Sequence, residues 1–302
     1  MVNEVLVPMF WNRLRASLEM IKFEHSVFAL PFALTAALLA FRVSPVGMPA
    51  AASKLLWIVV AMVSARSAAM AFNRVLDAEI DAKNPRTQMR HIPAGVLSKG
   101  FAWSFVVGTA LIFLAASWLL NPLCLWLAPV ALAVVFFYSY TKRFTSLSHL
   151  VLGFSLGIAP AAAWIAVTGS LDVRIIWLVA AVTFWTAGFD IIYSCQDFEF
   201  DRDHGLFSVP RRFGIANALG ISRMFHAAMV GCLLAMVAIF DLGWLSLAGI
   251  GAVGLLLIYE HSLVKPKDLS RVNAAFFTVN GYVSVLFFVF WAADIYRLRV
   301  GV

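Results

Sequence analysis

Nine apolar segments, each close to twenty residues long, recur from one end of this chain to the other: about 25–41, 55–73, 101–120, 123–141, 148–168, 174–196, 222–241, 243–262 and 274–294. About twenty apolar residues is the length a helix needs to cross a bilayer, where the backbone must satisfy its own hydrogen bonds. The expected fold is therefore an all-α integral membrane protein with nine transmembrane helices. Composition agrees: 62% of the 302 residues are hydrophobic and only 13% charged, with a mean hydropathy of +0.89. Asn121-Pro122 and Asp241-Leu242-Gly243 read as tight turns between neighbouring spans. No linker-like stretch interrupts the pattern, so residues 1–302 are expected to form one domain. The first apolar run, Ser26–Phe41, has no small-residue cleavage site after it and reads as a retained span.

Nine spans put the termini on opposite sides, and charge decides which side is which. With a cytoplasmic N-terminus, sixteen Lys and Arg fall on the cytoplasmic side and five on the other, a clear positive-inside bias. The expected location is the plasma (inner) membrane. A net charge of +7 would also suit a nucleic-acid surface, but in a chain this apolar the loop bias accounts for it. Lipid, not nucleic acid, is the expected surrounding. The isolated cysteines Cys124, Cys195 and Cys232 have neither metal-ligand spacing nor a disulfide framework.

Against this background two acidic clusters stand out. Asn73, Asp77 and Asp81 are four residues apart at each step and share one helical face at the end of span two. Asp197 and Asp201, with Glu199 and Asp203, close span six, on the same cytoplasmic side. Asp190 shares a face with Asp197 and Asp201 but lies one to two turns deeper, where a charge faces a polar cavity by default. The bland reading of either cluster is a solvated helix end or a pairing with arginine. Two clusters at one end favour a shared Mg²⁺ site, since Mg²⁺ takes one or two carboxylates and leaves positions for phosphate oxygens. Zinc is not expected, because no His/Cys set accompanies the acids.

Basic residues supply the other half of a diphosphate site. The loop carrying Arg86 follows the first cluster, and Tyr138 and Lys142 share a face at the end of span four. Arg66 lies inside span two, seven residues before Asn73. Arg66 is the stronger signal by itself, being a charge inside a span; Arg86 and Lys142 alone read as ordinary positive-inside residues, but beside both acidic motifs they point to phosphate binding. Of the histidines, only His25 at the mouth of span one draws notice.

These residues resemble the UbiA family of intramembrane aromatic prenyltransferases, closest to its 4-hydroxybenzoate polyprenyltransferase branch. Asn73, Asp77 and Asp81 match the family's Asn-x-x-x-Asp-x-x-x-Asp motif, Asp197 and Asp201 its Asp-x-x-x-Asp motif, and Tyr138 and Lys142 a Tyr-x-x-x-Lys element. Flanking stretches around Asn84-Pro85-Arg86-Thr87 and Gly205-Leu206 are similar too. Arg74 departs from many ubiquinone-pathway members, which have Asp there, and the surrounding sequence also resembles menaquinone (futalosine-route) members. The resemblance implies nine helices around a central cavity with cytoplasmic cap loops. It implies Mg²⁺ held by Asn73, Asp77, Asp81, Asp197 and Asp201, and a polyprenyl diphosphate whose leaving group Lys142 and Arg86 neutralise. It also implies transfer to a ring carbon of a hydroxylated aromatic acid. Arg66 or Lys22 are then candidates to hold the aromatic carboxylate, and Asp190 is the candidate base. Glu79, on the far side of the helix from the three motif residues, is the expected bystander.

Three other readings compete. A relative could prenylate haem, chlorophyllide or a naphthoate, which only acceptor-side residues would distinguish. A divalent-cation transporter would line a path at the midplane, whereas these acids gather at one end. A CDP-alcohol phosphotransferase would carry Asp-x-x-Asp-Gly-x-x-Ala-Arg, which is absent.

Overall fold

The computed structural model describes residues 15–17, 19–21 and 28–300, with side chains to 298. Lys22 and His25 lie outside the described residues. The chain is helical almost throughout, without strands among the described residues. The main helices are α1 (Leu30–Val43), α2 (Met48–Leu76), α3 (Ala78–Lys83), α4 (Lys99–Leu120), α5 (Pro122–Thr141), α6 (Ser148–Thr168) and α7 (Ile176–Ser194). They continue as α8 (Phe198–Asp203), α9 (Val209–Phe213), α10 (Ile215–Ile239), α11 (Trp244–Leu263) and α12 (Asn280–Val300). Among the described residues, eight helices are long and apolar enough to cross a membrane. The ninth expected span is represented by α1, whose 14 residues make it the short member of the set. Pro31 sits in its first turn, where proline's missing N–H costs nothing.

Both turns expected between spans are present. Asn121 accepts the Cys124 N–H at 2.9 Å and caps α5 as α4 ends. Between α10 and α11, Asp241 takes a left-handed φ of 54°. There the buried Asp294 carboxylate of α12 accepts the Gly243 N–H at 2.6 Å and the Ser246 hydroxyl at 2.7 Å, tying the last helix to this turn.

Helix α1 is buried on nearly every side because it runs through the middle, packed on α6 and α12. Phe32 stacks on Phe287 at 4.4 Å and leans on Trp185 at 5.0 Å, so three helices share one aromatic contact. Helices α6 and α7 approach closely at glycine: a Cβ at Gly157 would lie 2.7 Å from the Val179 carbonyl oxygen. A buried polar chain crosses the bundle elsewhere. Trp185 Nε1 donates to Asn280 Oδ1 at 2.7 Å, and Asn280 Nδ2 donates to Glu260 Oε1 at 2.8 Å, linking α7, α12 and α11. Helices α2, α4 and α5 pack together and meet the rest mainly through α6, with a smaller contact between α2 and α1, leaving a cavity between the two groups.

Candidate functional site

The cavity has a volume of about 1150 Å³ and is mainly apolar, with its charged groups gathered at one end. Both acidic motifs reach that end in the same way. Helix α2 stops at Leu76, and Asp77 sits in the break before α3 with φ −91° and ψ 1°. Helix α7 passes through a tight turn, Cys195–Asp197, and Asp197 sits before α8 with φ −97° and ψ 6°. This bridge conformation is sparsely used and recurs at active sites. The expected shared face survives the break in the first motif, because Asp77 N–H still donates to the Asn73 carbonyl at 2.9 Å and Asp81 N–H to the Asp77 carbonyl at 2.7 Å.

Three of the four motif aspartates are held by bases, two of them by bases far away in sequence. The Asp77 side chain, 2% exposed, accepts Lys142 Nζ at 2.6 Å and Arg143 Nη2 at 2.8 Å, with Asn73 Nδ2 at 3.0 Å. Asp81 accepts both its bonds from Arg90 Nη1, at 2.7 and 2.8 Å. Asp197 takes a two-pronged contact from Arg86, 2.9 Å from Nε and 2.6 Å from Nη2, and a third bond from Asn84 Nδ2 at 3.0 Å. Arg86 also donates to the Tyr193 hydroxyl at 3.0 Å. Burial pulls its pKa down, but the hydrogen bonds and charge of Asp197 outweigh this and hold it above the ordinary guanidinium value.

The loop after α3 thus reaches across to the second motif, and the two clusters expected at one end do meet there. Asn73, Arg66, Tyr138, Lys142, Asp190 and Asp201 all line the same cavity. Arg66 donates to the Ile21 carbonyl at 3.1 Å. Glu79 is not among the cavity residues; it pairs at the surface with Lys99 at 3.1 Å. Arg74, which has no match in the motif, turns to the Met20 carbonyl at 3.5 Å and Asn73 Oδ1 at 3.4 Å.

The acids do not converge into a ready-made cage: among the described residues no three His, Cys, Asp or Glu side chains stand together as a metal group. What faces the cavity is an oxygen-only donor set, split between two motifs and balanced by Arg and Lys. Such a set suits a hard divalent cation whose remaining ligands come from water and phosphate.

The sequence reading missed several of these residues. Arg143 and Tyr193 read as ordinary loop or span residues, and Asn84 and Arg90 only as members of the loop around Arg86, yet each bonds a motif acid or the arginine that does. His149 is the largest omission. Its Nδ1 lies 2.7 Å from Asp190 Oδ2, and the two residues are 41 apart in sequence. The available signal was a histidine at the mouth of a span; its partner could not be read from spacing.

Residues 29–292 match the UbiA prenyltransferase family. A 4-hydroxybenzoate solanesyltransferase from Synechocystis is 36% identical over 192 residues, which is 62% of this chain and 64% of that protein. A 4-hydroxybenzoate octaprenyltransferase from Methylobacillus flagellatus is 27% identical over 78% of this chain and 79% of its own length. Among solved structures, the apo form of a UbiA homologue from Aeropyrum pernix is 34% identical, covering 90% of this chain and 98% of that one, with a TM-score of 0.81. A UbiA homologue from Archaeoglobus fulgidus bound to GPP and Mg²⁺ shares the fold at 17% identity and a TM-score of 0.72, covering 93% and 99%. The apolar helices, the match across most of the length and these relatives agree: the chain is an integral membrane protein that belongs to the UbiA prenyltransferase family.

Proposed function

We propose that this prenyltransferase moves a polyprenyl group from its diphosphate to a ring carbon of a hydroxylated aromatic acid, 4-hydroxybenzoate being the leading candidate, with Mg²⁺ as cofactor. The observation that carries the reading is the meeting of the two motifs at one end of a deep apolar cavity, Arg86 on Asp197 and Lys142 on Asp77. The relatives named as 4-hydroxybenzoate transferases and the homologue bound to GPP and Mg²⁺ support it.

Asn73, Asp77, Asp81, Asp197 and Asp201 would hold the ion, which when bound neutralises the diphosphate and strengthens it as a leaving group. Their present partners, Lys142, Arg143, Arg90 and Arg86, then turn to phosphate oxygens, charge-assisted bonds of the strong class. The carbon–oxygen bond of the allylic diphosphate breaks, and the diphosphate leaves with the electron pair. The apolar walls keep water from the allylic cation. A ring carbon of the acceptor bonds to that cation, and Asp190 takes the ring proton so that aromaticity returns. Arg66, on the cavity wall, is the side chain we assign to the acceptor carboxylate. The charged end of the cavity is taken to be cytoplasmic, in keeping with the positive-inside count.

The test uses membranes containing the protein, a panel of aromatic acids and prenyl diphosphates of several lengths, with products read by mass spectrometry. Prenylated 4-hydroxybenzoate is expected with Mg²⁺, no product in EDTA, and recovery when Mg²⁺ is restored. Full transfer in EDTA would sink the metal–diphosphate reading. A panel in which only a naphthoate or another acceptor reacts would move the acceptor while leaving prenyl transfer intact.

A further inference from the structure

His149 is the second residue of α6, buried, and both of its ring nitrogens are committed. The backbone N–H of Val209 lies 3.2 Å from Nε2. A backbone N–H can only donate, so Nε2 is the unprotonated nitrogen, and in the neutral ring the proton sits on Nδ1. That proton points at Asp190 Oδ2, 2.7 Å away. The tautomer is thus set by the main chain, and the imidazole has no lone pair left with which to act as a base. Asp190 Oδ1 makes no hydrogen bond with the described residues; the carboxylate is 17% exposed and lines the cavity. One turn deeper on the same face of α7, Thr186 is fully buried, and its hydroxyl has no hydrogen-bond partner among the described residues.

We propose that His149 is a positioning residue for the proton-transfer step. It pins Asp190 through Oδ2 and leaves Oδ1 to take the ring proton of the aromatic acceptor. This rests on the reading that the cavity prenylates an aromatic ring. In that step the ring C–H bond breaks, its electrons return to the ring, and the proton forms the O–H bond of Asp190; no other reactant is needed. The arrangement also ties the two halves of the site together. Val209 follows the second acidic motif by way of a loop in which Leu206 N–H bonds the Asp201 carbonyl at 2.9 Å and Phe207 N–H the Lys142 carbonyl at 2.7 Å. The stretch that carries the phosphate-side residues is therefore the one that orients the acceptor-side carboxylate.

The experiment compares wild type, His149→Leu and His149→Gln with ordinary and ring-deuterated aromatic acid. The Gln amide offers one N–H and one C=O and can serve both partners, whereas Leu serves neither. For His149→Leu, transfer should fall about tenfold or more and show a deuterium isotope effect of about 2 or more, as loss of a well-placed base requires. The KM for prenyl diphosphate should not change. His149→Gln should recover to within about threefold of wild type, since it keeps the base in place. If His149→Leu does not accumulate in membranes, His149→Asn, whose shorter amide reaches only one partner, replaces it with the same readouts. A variant that transfers at the wild-type rate overturns the proposal. So does one that slows with no isotope effect and a proportionate rise in the diphosphate KM. A wild type that prenylates no aromatic acid overturns the parent reading and this proposal with it. A wild type that does, beside an unaltered His149→Leu, overturns this proposal alone.

Discussion

Arg86 and Asp197 lie 111 residues apart and meet in a forked contact, Nε to Oδ1 at 2.9 Å and Nη2 to Oδ2 at 2.6 Å. The fork fixes the loop after α3 over the end of α7. A planar guanidinium can exchange one carboxylate for a phosphate without changing its geometry, which a lysine cannot do. Arg86→Lys is therefore expected to keep part of the activity, and Arg86→Ala to lose about a hundredfold or more in kcat/KM for prenyl diphosphate. Steady-state kinetics in membranes checks both; equal activity of Lys and Arg at this position would refute the forked role.

Asp77 carries two cations and an amide on one buried carboxylate. Asp77→Asn keeps the shape but leaves Lys142 and Arg143 facing each other without an anion. Transfer should drop by at least about a hundredfold while the protein still accumulates in membranes, since the loss is one of charge where charge develops. Asp197→Ala should behave likewise. Immunoblots alongside the transfer assay separate lost chemistry from lost protein.

Glu79→Gln is the matched control. Glu79 is exposed, pairs with Lys99 at the surface and is absent from the cavity wall. Exposed pairs contribute little. Its activity and its response to EDTA should match wild type within error. A large loss would mean that this face of α3 also takes part in the site.

The packing of α1 is tested away from the chemistry. Phe32 is fully buried and stacked on Phe287. Phe32→Ala should cost about 3–5 kcal/mol of stability, the usual range for deleting a buried aromatic ring. Gly157→Val pushes a side chain into the Val179 carbonyl and should cost about 1–3 kcal/mol. Thermal melting in detergent measures both; an unchanged melt for Phe32→Ala would mean the short first helix does not anchor the bundle.

The periodic features of the molecule were legible without coordinates. A bilayer demands helices of a certain length, so hydropathy alone located the spans, and their parity brought both acidic motifs to one end. The four-residue spacing of Asn73, Asp77 and Asp81 is a local property of helical hydrogen bonding and survives even the break at Asp77. Asp190 was legible as well, because a carboxylate inside a span is costly enough to need a reason.

What tertiary structure alone decided was partnership. Asp77, Asp81 and Asp197 each face a base, and the choice of Lys142 and Arg143 for Asp77, or of Arg86 for Asp197, depends on how helices and loops separated by 65 to 111 residues pack. Hydropathy carries no information about that packing, because lipid-facing and core-facing residues in a span are equally apolar. The same reason hid His149. Its ring is defined by Asp190 on the next helix of the bundle and by a main-chain N–H sixty residues on, and neither leaves a mark in the spacing of the sequence.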